Sequence, residues 1–166
     1  MGYYDDGGNA MTARDWDEVD KSSRQLLSCL LETQLSAEAV GESHGCCCWD
    51  LSCVIRGKKI AVEIKERRMD HDRFGDILVE TSKQECIANK QFDTALAANV
   101  FKDQVVCLAN LFDKDAKHFR RPAPTTTQVK GALHTYIVKD FTGLPQKIKF
   151  KFKRDTSSRW VFSKTK

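Results

Sequence analysis

The chain has 166 residues, a formal net charge of +4, 41% hydrophobic and 30% charged residues. That length supports one domain with a real core, and the composition excludes a disordered, collagenous or low-complexity chain. No apolar run approaches the roughly 20 residues that cross a bilayer, and the acidic N-terminus lacks the form of a secretory signal.

The charge is unevenly spread. Residues 117–166 hold 13 Lys and Arg against two acids, Asp140 and Asp155, a net of +11. The first 116 residues hold 14 basic and 21 acidic groups, a net of −7. The expectation is an acidic chemical half and a basic docking half. Seven cysteines are present (Cys29, Cys46, Cys47, Cys48, Cys53, Cys86 and Cys107). Three are consecutive and nothing marks secretion, so a reduced, intracellular protein is expected.

In chain order, residues 1–14 read as a flexible lead-in, and a single domain is expected over 15–166. A helix is predicted from about Asp15 to Gln34, with Trp16, Val19, Ser23, Leu26, Leu27, Leu30 and Leu31 on one face. Asp15, Asp17 and Glu18 suit its N-terminal turn through the helix dipole. Leu35 to Gly45 reads as an edge strand or loop. Within it and just beyond, His44-Gly45-Cys46-Cys47-Cys48 invites a zinc site. However, adjacent strand residues point to opposite faces, so three consecutive thiolates do not share one tetrahedral ion, and packing as small hydrophobes is the reading.

The stretch Trp49 to Lys65 (WDLSCVIRGKKIAVEIK) reads as two strands joined by a basic turn at Arg56-Gly57-Lys58-Lys59. Pairing Ile55 with Ile60, or Arg56 with Lys59, sets Asp50 opposite Lys65 and Ser52 opposite Glu63. Alternation then gathers Asp50, Glu63 and Lys65 on one face and sends Ile60, Val62 and Ile64 to the other. Two carboxylates and an ammonium on one patch outline a metal site.

The charged segment Glu66 to Arg73 follows directly. Its arginines, Arg67, Arg68 and Arg73, read either as a solvated connection or as phosphate grips. His71 reads as an exposed loop residue rather than a proton carrier. A strand is predicted at Asp76–Glu80 and a helix start at Thr81-Ser82-Lys83-Gln84-Glu85 from two overlapping capping boxes. Residues 83–100 give a mixed signal. Gln104 to Leu108 reads as a buried, parallel strand, and Leu111 to Phe119 as a short helix closed by a stiff Arg120–Pro124 linker.

Residues 125–166 form a basic strand region. One strand is expected at Leu133–Val138, and a last one at Ser158–Lys164, with Trp160 in the core rather than stacked on a base. Between them Lys147, Lys149, Lys151 and Lys153 alternate with Ile148, Phe150 and Phe152. Lysine at all four polar positions suits either protection of a sheet edge or a phosphate-tracking surface. The local charge favours the second.

Asp50, then twelve residues, then Glu63-Ile64-Lys65 resembles the signature of the PD-(D/E)XK nuclease superfamily, with Trp49 where the family's weakly kept proline stands. Arg73-Phe74-Gly75-Asp76-Ile77-Leu78-Val79-Glu80-Thr81, an aromatic-Gly-Asp turn and a short strand, resembles some phage-type members. The resemblance spans roughly residues 15–110. It implies an α/β fold with a mixed central sheet flanked by helices, restriction-endonuclease-like, in the order helix, hairpin, strand, helix, strand, with the basic C-terminal strands added. It implies metal-dependent hydrolysis of nucleic-acid phosphodiesters, DNA rather than RNA. Asp50, Glu63 and the Ile64 carbonyl would hold Mg²⁺, for which Mn²⁺ substitutes, and Lys65 would act on the attacking water or the transition state. Asp20 on the first helix and Glu80 on the following strand are supporting candidates. A homodimer or larger assembly is compatible with this reading.

Two other classes fit the same residues. One is a nuclease-like fold without catalysis that docks on nucleic acid through its basic tail. The other is a structural subunit whose tail neutralises an acidic partner.

Overall fold

The computed structural model describes residues 13–43, 49–73, 76–80, 86–88, 92–111, 117–122, 135–140 and 148–165. Of these, 13–17, 19, 20, 76–80, 117–122 and 135–140 are described by their backbone alone. The fold is mixed α/β. One long helix, α1 (Ala13–Gln34), lies against a seven-stranded mixed sheet. That sheet is built from β1 (Glu38–Glu42), β2 (Leu51–Ile55), β3 (Lys58–Arg67), β5 (Thr94–Phe101), β6 (Val105–Asn110), β9 (Ile148–Arg154) and β10 (Trp160–Thr165), in that spatial order. A separate three-stranded sheet runs β4 (Asp76–Glu80), β8 (Thr135–Asp140), β7 (Lys117–Pro122). Among the described residues no helix is long and apolar enough to cross a membrane.

Helix α1 forms as its apolar stripe predicts. Leu26, Leu27, Leu30 and Leu31 are buried, together with Ser23. They meet Leu51, Cys53, Ile60, Val62, Ala98, Val100, Val106, Leu108 and Phe150 from one face of the sheet. The helix ends where Ser36 takes φ 52° and the Ala37 N–H turns back to the Leu31 carbonyl at 3.0 Å. The stretch after it, read as edge strand or loop, is the edge strand β1.

The β2–β3 hairpin turns on two residues. Ile55 pairs with Lys58, Cys53 with Ile60 and Leu51 with Val62. Arg56 and Gly57 have φ of 52° and 76°, the left-handed pair that a tight hairpin needs to match strand twist. The expected register is therefore corrected by two residues, because the turn centres on Arg56-Gly57 rather than one residue later. A shift of two leaves every side chain on its original face, but sets Asp50 level with Glu63 instead of Lys65.

Beyond the hairpin several expectations change. β3 runs parallel to β5, with Glu63 level with Ala97 and Lys65 with Asn99. β5 was not legible as a strand because TALAANVF is alanine-rich and shows no alternation. It is buried on both faces and packs with small side chains. β6 is antiparallel to both its neighbours, not parallel, since only Lys102–Gln104 separates it from β5 and a parallel return needs a crossover. Lys117 to Phe119, expected in a helix, and Arg120 to Pro122, expected in a linker, form β7 instead. That strand pairs with β8 at the sheet's edge, where a proline is tolerated. The predicted helix start at 81–85 lies outside the described residues; a helical turn at 86–88 is all that is described there.

Among the described residues Cys29, Cys53 and Cys107 are outside any disulfide, and burial pushes the Cys53 thiol up. Cys86 is disulfide-bonded. That bond departs from the expected fully reduced set. The His44–Cys48 cluster lies outside the described residues.

The hairpin turn gives a stability test. A Cβ at Gly57 meets no atom within 4 Å, so any cost of Gly57→Ala is conformational. It should lower unfolding free energy by about 1 kcal/mol, measured by urea denaturation, whereas Gly41→Ala, with negative φ and equally open space, should be milder.

Candidate functional site

The site is assembled where β3 outruns β2. β2 starts at Leu51, opposite Val62, so Glu63 to Arg67 of β3 have no β2 residue beside them. Asp50 closes this gap. Its N–H donates to the Val62 carbonyl at 2.9 Å, and its Oδ2 accepts the Ile64 N–H at 2.7 Å. A strand residue points its N–H and C=O to the same side, so the Ile64 carbonyl faces the Asp50 edge as well. Ser43 secures this corner, its N–H bonded to the Asp50 carbonyl at 3.1 Å and its hydroxyl to the Trp49 carbonyl. Among the described residues no hydrogen bond reaches Asp50 Oδ1.

Side chains of β3 divide cleanly. Ile60, Val62 and Ile64 face α1, as does Glu66, whose carboxylate accepts a hydrogen bond from the buried Ser23 hydroxyl. Ala61, Glu63, Lys65 and Arg67 face the opposite side, over a layer containing Ala95, Ala97, Phe101, Cys107 and Ala109. Glu63 is buried at 3% exposure and Lys65 is half-buried. A buried carboxylate is costly without compensating charge or hydrogen bonds, and Lys65 and Arg67 are cations on its face of β3.

Arg67, read from the sequence as a phosphate grip, is 6% exposed. Its Nη1 donates to Asn99 Oδ1 at 3.2 Å, its Nη2 lies 3.7 Å from Met69 Sδ, and its guanidinium sits 5.8 Å from the Phe101 ring centre. This corrects the expectation: Arg67 is a core cation with no surface to offer a phosphate. Arg68 and Arg73 are exposed and line a cleft of about 480 Å³ with Met69, Asp70, Asp72 and Lys102. The cleft lies past the carboxyl ends of β3 and β5, not over Asp50.

His71 stands between these residues as half of a clamp. Its ring Nδ1 lies 2.6 Å from Asp103 Oδ2, and its backbone N–H donates to both Asp103 oxygens at 3.2 and 3.3 Å. Partial burial raises the Asp103 pKa, but the hydrogen bonds and charge of His71 outweigh it and hold the carboxyl below its ordinary value. The clamp ties the 68–73 loop to the β5–β6 turn, a structural task that explains the pair without a proton carrier.

The lysine strand is where the register is most telling. Cross-strand partners share a sheet face. Lys65 pairs with Asn99, Asn99 with Cys107, and Cys107 with Lys149. The lysine face of β9 is therefore the Glu63–Lys65 face. Lys149 is half-buried, while Lys151 and Lys153 are exposed; Lys147 lies outside the described residues. β9 is flanked by β6 and β10, so its lysines do not guard a sheet edge. Phe150, Phe152 and Ile148 face α1, and Trp160 packs there too, beneath the Arg154 guanidinium at 3.8 Å.

The supporting candidates are placed only in part. Asp20 lies on α1 one turn before Ser23, and Glu80 ends β4 in the second sheet; their side chains lie outside the described residues. Among the described residues no three His, Cys, Asp or Glu side chains are grouped to hold a metal ion. The available oxygen set is thus Asp50, Glu63 and the Ile64 carbonyl.

The two neighbouring arginines should separate in a stability assay. Arg67→Ala leaves the buried Asn99 carbonyl without its donor, which costs about 1–3 kcal/mol before any cavity is counted. Arg68→Ala, at an exposed position, should stay within about 0.5 kcal/mol of wild type in the same urea titration. The Asp103 clamp should act through pH. Its folded pKa is depressed, so its stabilisation is present above the unfolded pKa and is lost as pH falls through the folded value. Melting curves of Asp103→Asn and wild type should therefore converge at acid pH and diverge towards neutral.

No protein-family model, curated protein or solved structure matches this chain.

Proposed function

We propose that the chain is a metal-dependent nuclease acting on nucleic-acid phosphodiesters, DNA rather than RNA, with Asp50, Glu63 and Lys65 at its centre. The observation that carries this reading is the 2.7 Å hydrogen bond from the Ile64 N–H to Asp50 Oδ2. It brings a carboxylate from one strand to the Glu-Ile-Lys peptide of the next, with the Ile64 carbonyl on the same edge. The hairpin, the crossover and the parallel strand β5 beside β3 also support a restriction-endonuclease-like arrangement of the PD-(D/E)XK type.

The donor set fits a hard divalent cation. Two carboxylates and a carbonyl are too few for a closed protein cage, but Mg²⁺ is commonly held by one or two carboxylates while keeping several waters. Mn²⁺ would use the same oxygens. A bound ion lowers the pKa of its water and offsets charge on the phosphoryl group. Asp50 would contribute the oxygen that the Ile64 N–H leaves uncommitted, and that N–H fixes the carboxylate's orientation. Glu63 is held rigid by burial in the sheet face. Lys65, half-buried one pair further along the same face, would orient the attacking water or stabilise the negative transition state, where loss of one such group typically costs 10²–10³-fold in rate. Lys149, Lys151 and Lys153 on the same face, with exposed Arg68 and Arg73, would follow the phosphate backbone.

The direct test incubates plasmid and branched DNA with the protein in Mg²⁺, Mn²⁺ or EDTA. Cleavage that needs the metal is expected; cleavage that persists in EDTA, or none in any metal, would sink the reading. Lys65→Ala should cut the rate by about a hundredfold or more while leaving DNA affinity nearly intact. Asp50→Asn and Glu63→Gln should each weaken Mg²⁺ binding in calorimetry, since an amide is a poorer ligand for a hard cation.

The lysines give a separate readout. Changing Lys149, Lys151 and Lys153 together to Gln should lower the slope of log affinity against log salt by about two to three units, at roughly 0.7–0.9 per phosphate contact. A binding-only protein would show this change with no metal-dependent cleavage at all.

A further inference from the structure

Asn99 is fully buried, at 0% exposure, on the face that carries Glu63 and Lys65. In the sheet it lies level with Lys65 on one side and Cys107 on the other, with Glu63 and Arg67 one diagonal step away along β3. Its Oδ1 accepts the Arg67 Nη1 hydrogen bond at 3.2 Å. Its Nδ2 is buried with no hydrogen-bond partner. Buried amides are satisfied in the great majority of proteins, and an orphaned one calls for an explanation.

Companionship with Arg67 does not supply that explanation. Arg67 needs only an acceptor, and an aspartate or a glutamate would serve a buried guanidinium better. Because Arg67 is purely a donor, it fixes the amide with its oxygen towards Arg67. The NH₂ group is then what Asn99 has left to offer the Glu63–Lys65 side. Among the described residues the Glu63 carboxylate is the charged acceptor on this face, one diagonal step from Asn99; a ligand would bring further oxygens.

We infer that Asn99 is a positioning residue of the site: its Nδ2, directly or through one buried water, donates to the Glu63 carboxylate when the site is loaded. Arg67, Asn99 and Glu63 then form one hydrogen-bonded line that holds the carboxylate at the angle its task requires. The functional part of this inference rests on the nuclease reading of the site. Residues that orient a ligand in this way typically change metal affinity or activity by about 10–100-fold when removed.

Asn99→Asp is the informative variant, because it keeps acceptor oxygens for Arg67 and removes the donor, replacing it with a carboxylate one diagonal step from Glu63. Its melting temperature should stay close to that of wild type, the stronger acceptor for Arg67 offsetting the like charge of Glu63. The turnover rate should fall by about 10–100-fold, with KM for DNA changed by less than about twofold, the split that separates orientation from substrate binding. A purely structural Asn99 would leave the rate of this variant at the wild-type value, which would overturn the inference.

The second arm does not depend on activity. In ¹⁵N-labelled, Mg²⁺-loaded protein, the Asn99 side-chain NH₂ signals are those missing from the Asn99→Asp spectrum. Glu63→Gln should move them, whereas Glu66→Gln, on the opposite face, should not. Signals that ignore Glu63→Gln would also overturn the inference. If wild type cleaves nothing, the nuclease reading falls and the spectra alone decide whether Asn99 serves Glu63.

Discussion

The contact on which the site depends is the hydrogen bond between the Ile64 N–H and Asp50 Oδ2, at 2.7 Å. It exists because the β2–β3 hairpin is unequal. β2 stops at Leu51 while β3 continues through Arg67, which leaves outward-facing peptide groups on β3 beyond Val62. Buried backbone groups demand partners, and Asp50 is the first residue able to supply one with a side chain. A carboxylate used this way is fixed in place next to the Glu63–Lys65 peptide. A local need of the backbone and the geometry of a site are thus met by the same residue.

The sheet divides the labour by face. One face is the conventional core, closed by the leucines of α1 and completed by Phe150, Phe152 and Trp160 from the basic strands. The other is floored by alanines at positions 61, 95, 97 and 109, which leaves lateral room for Glu63, Lys65, Arg67 and Asn99. The same face extends across β5 and β6 to the lysines of β9. The acidic and basic halves of the sequence, far apart in the chain, therefore meet on one side of one sheet. That juxtaposition is what turns a charge asymmetry into a candidate docking surface.

Much of this was legible in the residues, and the failures have physical causes. Alternation alone assigned Ile60, Val62 and Ile64 to one face and Glu63 and Lys65 to the other, and a register error of two residues could not disturb it. The same logic placed Phe150 and Phe152 inward. The turn was misjudged by one residue, although the Gly57 position could have fixed it through the left-handed requirement of a two-residue hairpin. β5 was hidden because alanine carries no strand signal, and its role as the parallel neighbour of β3 depends on packing that no local pattern encodes. Arg67 was misread for a related reason: within a run of charges nothing distinguishes the one that turns into the core. Asn99 carried no signal at all, since its meaning arises only from lying between Lys65 and Cys107.

In the proposed reading Asp50, Glu63 and the Ile64 peptide would together hold one divalent cation. Titration of Mn²⁺ into ¹⁵N-labelled protein tests it most directly, because the paramagnetic ion broadens only the amide signals near it. Broadening should begin at Asp50, Glu63, Ile64 and Lys65 and be suppressed by excess Mg²⁺ and by Glu63→Gln. Broadening that begins instead at Asp70 and Asp72 in the loop after β3, or that is spread evenly over the acidic surface, would contradict the account.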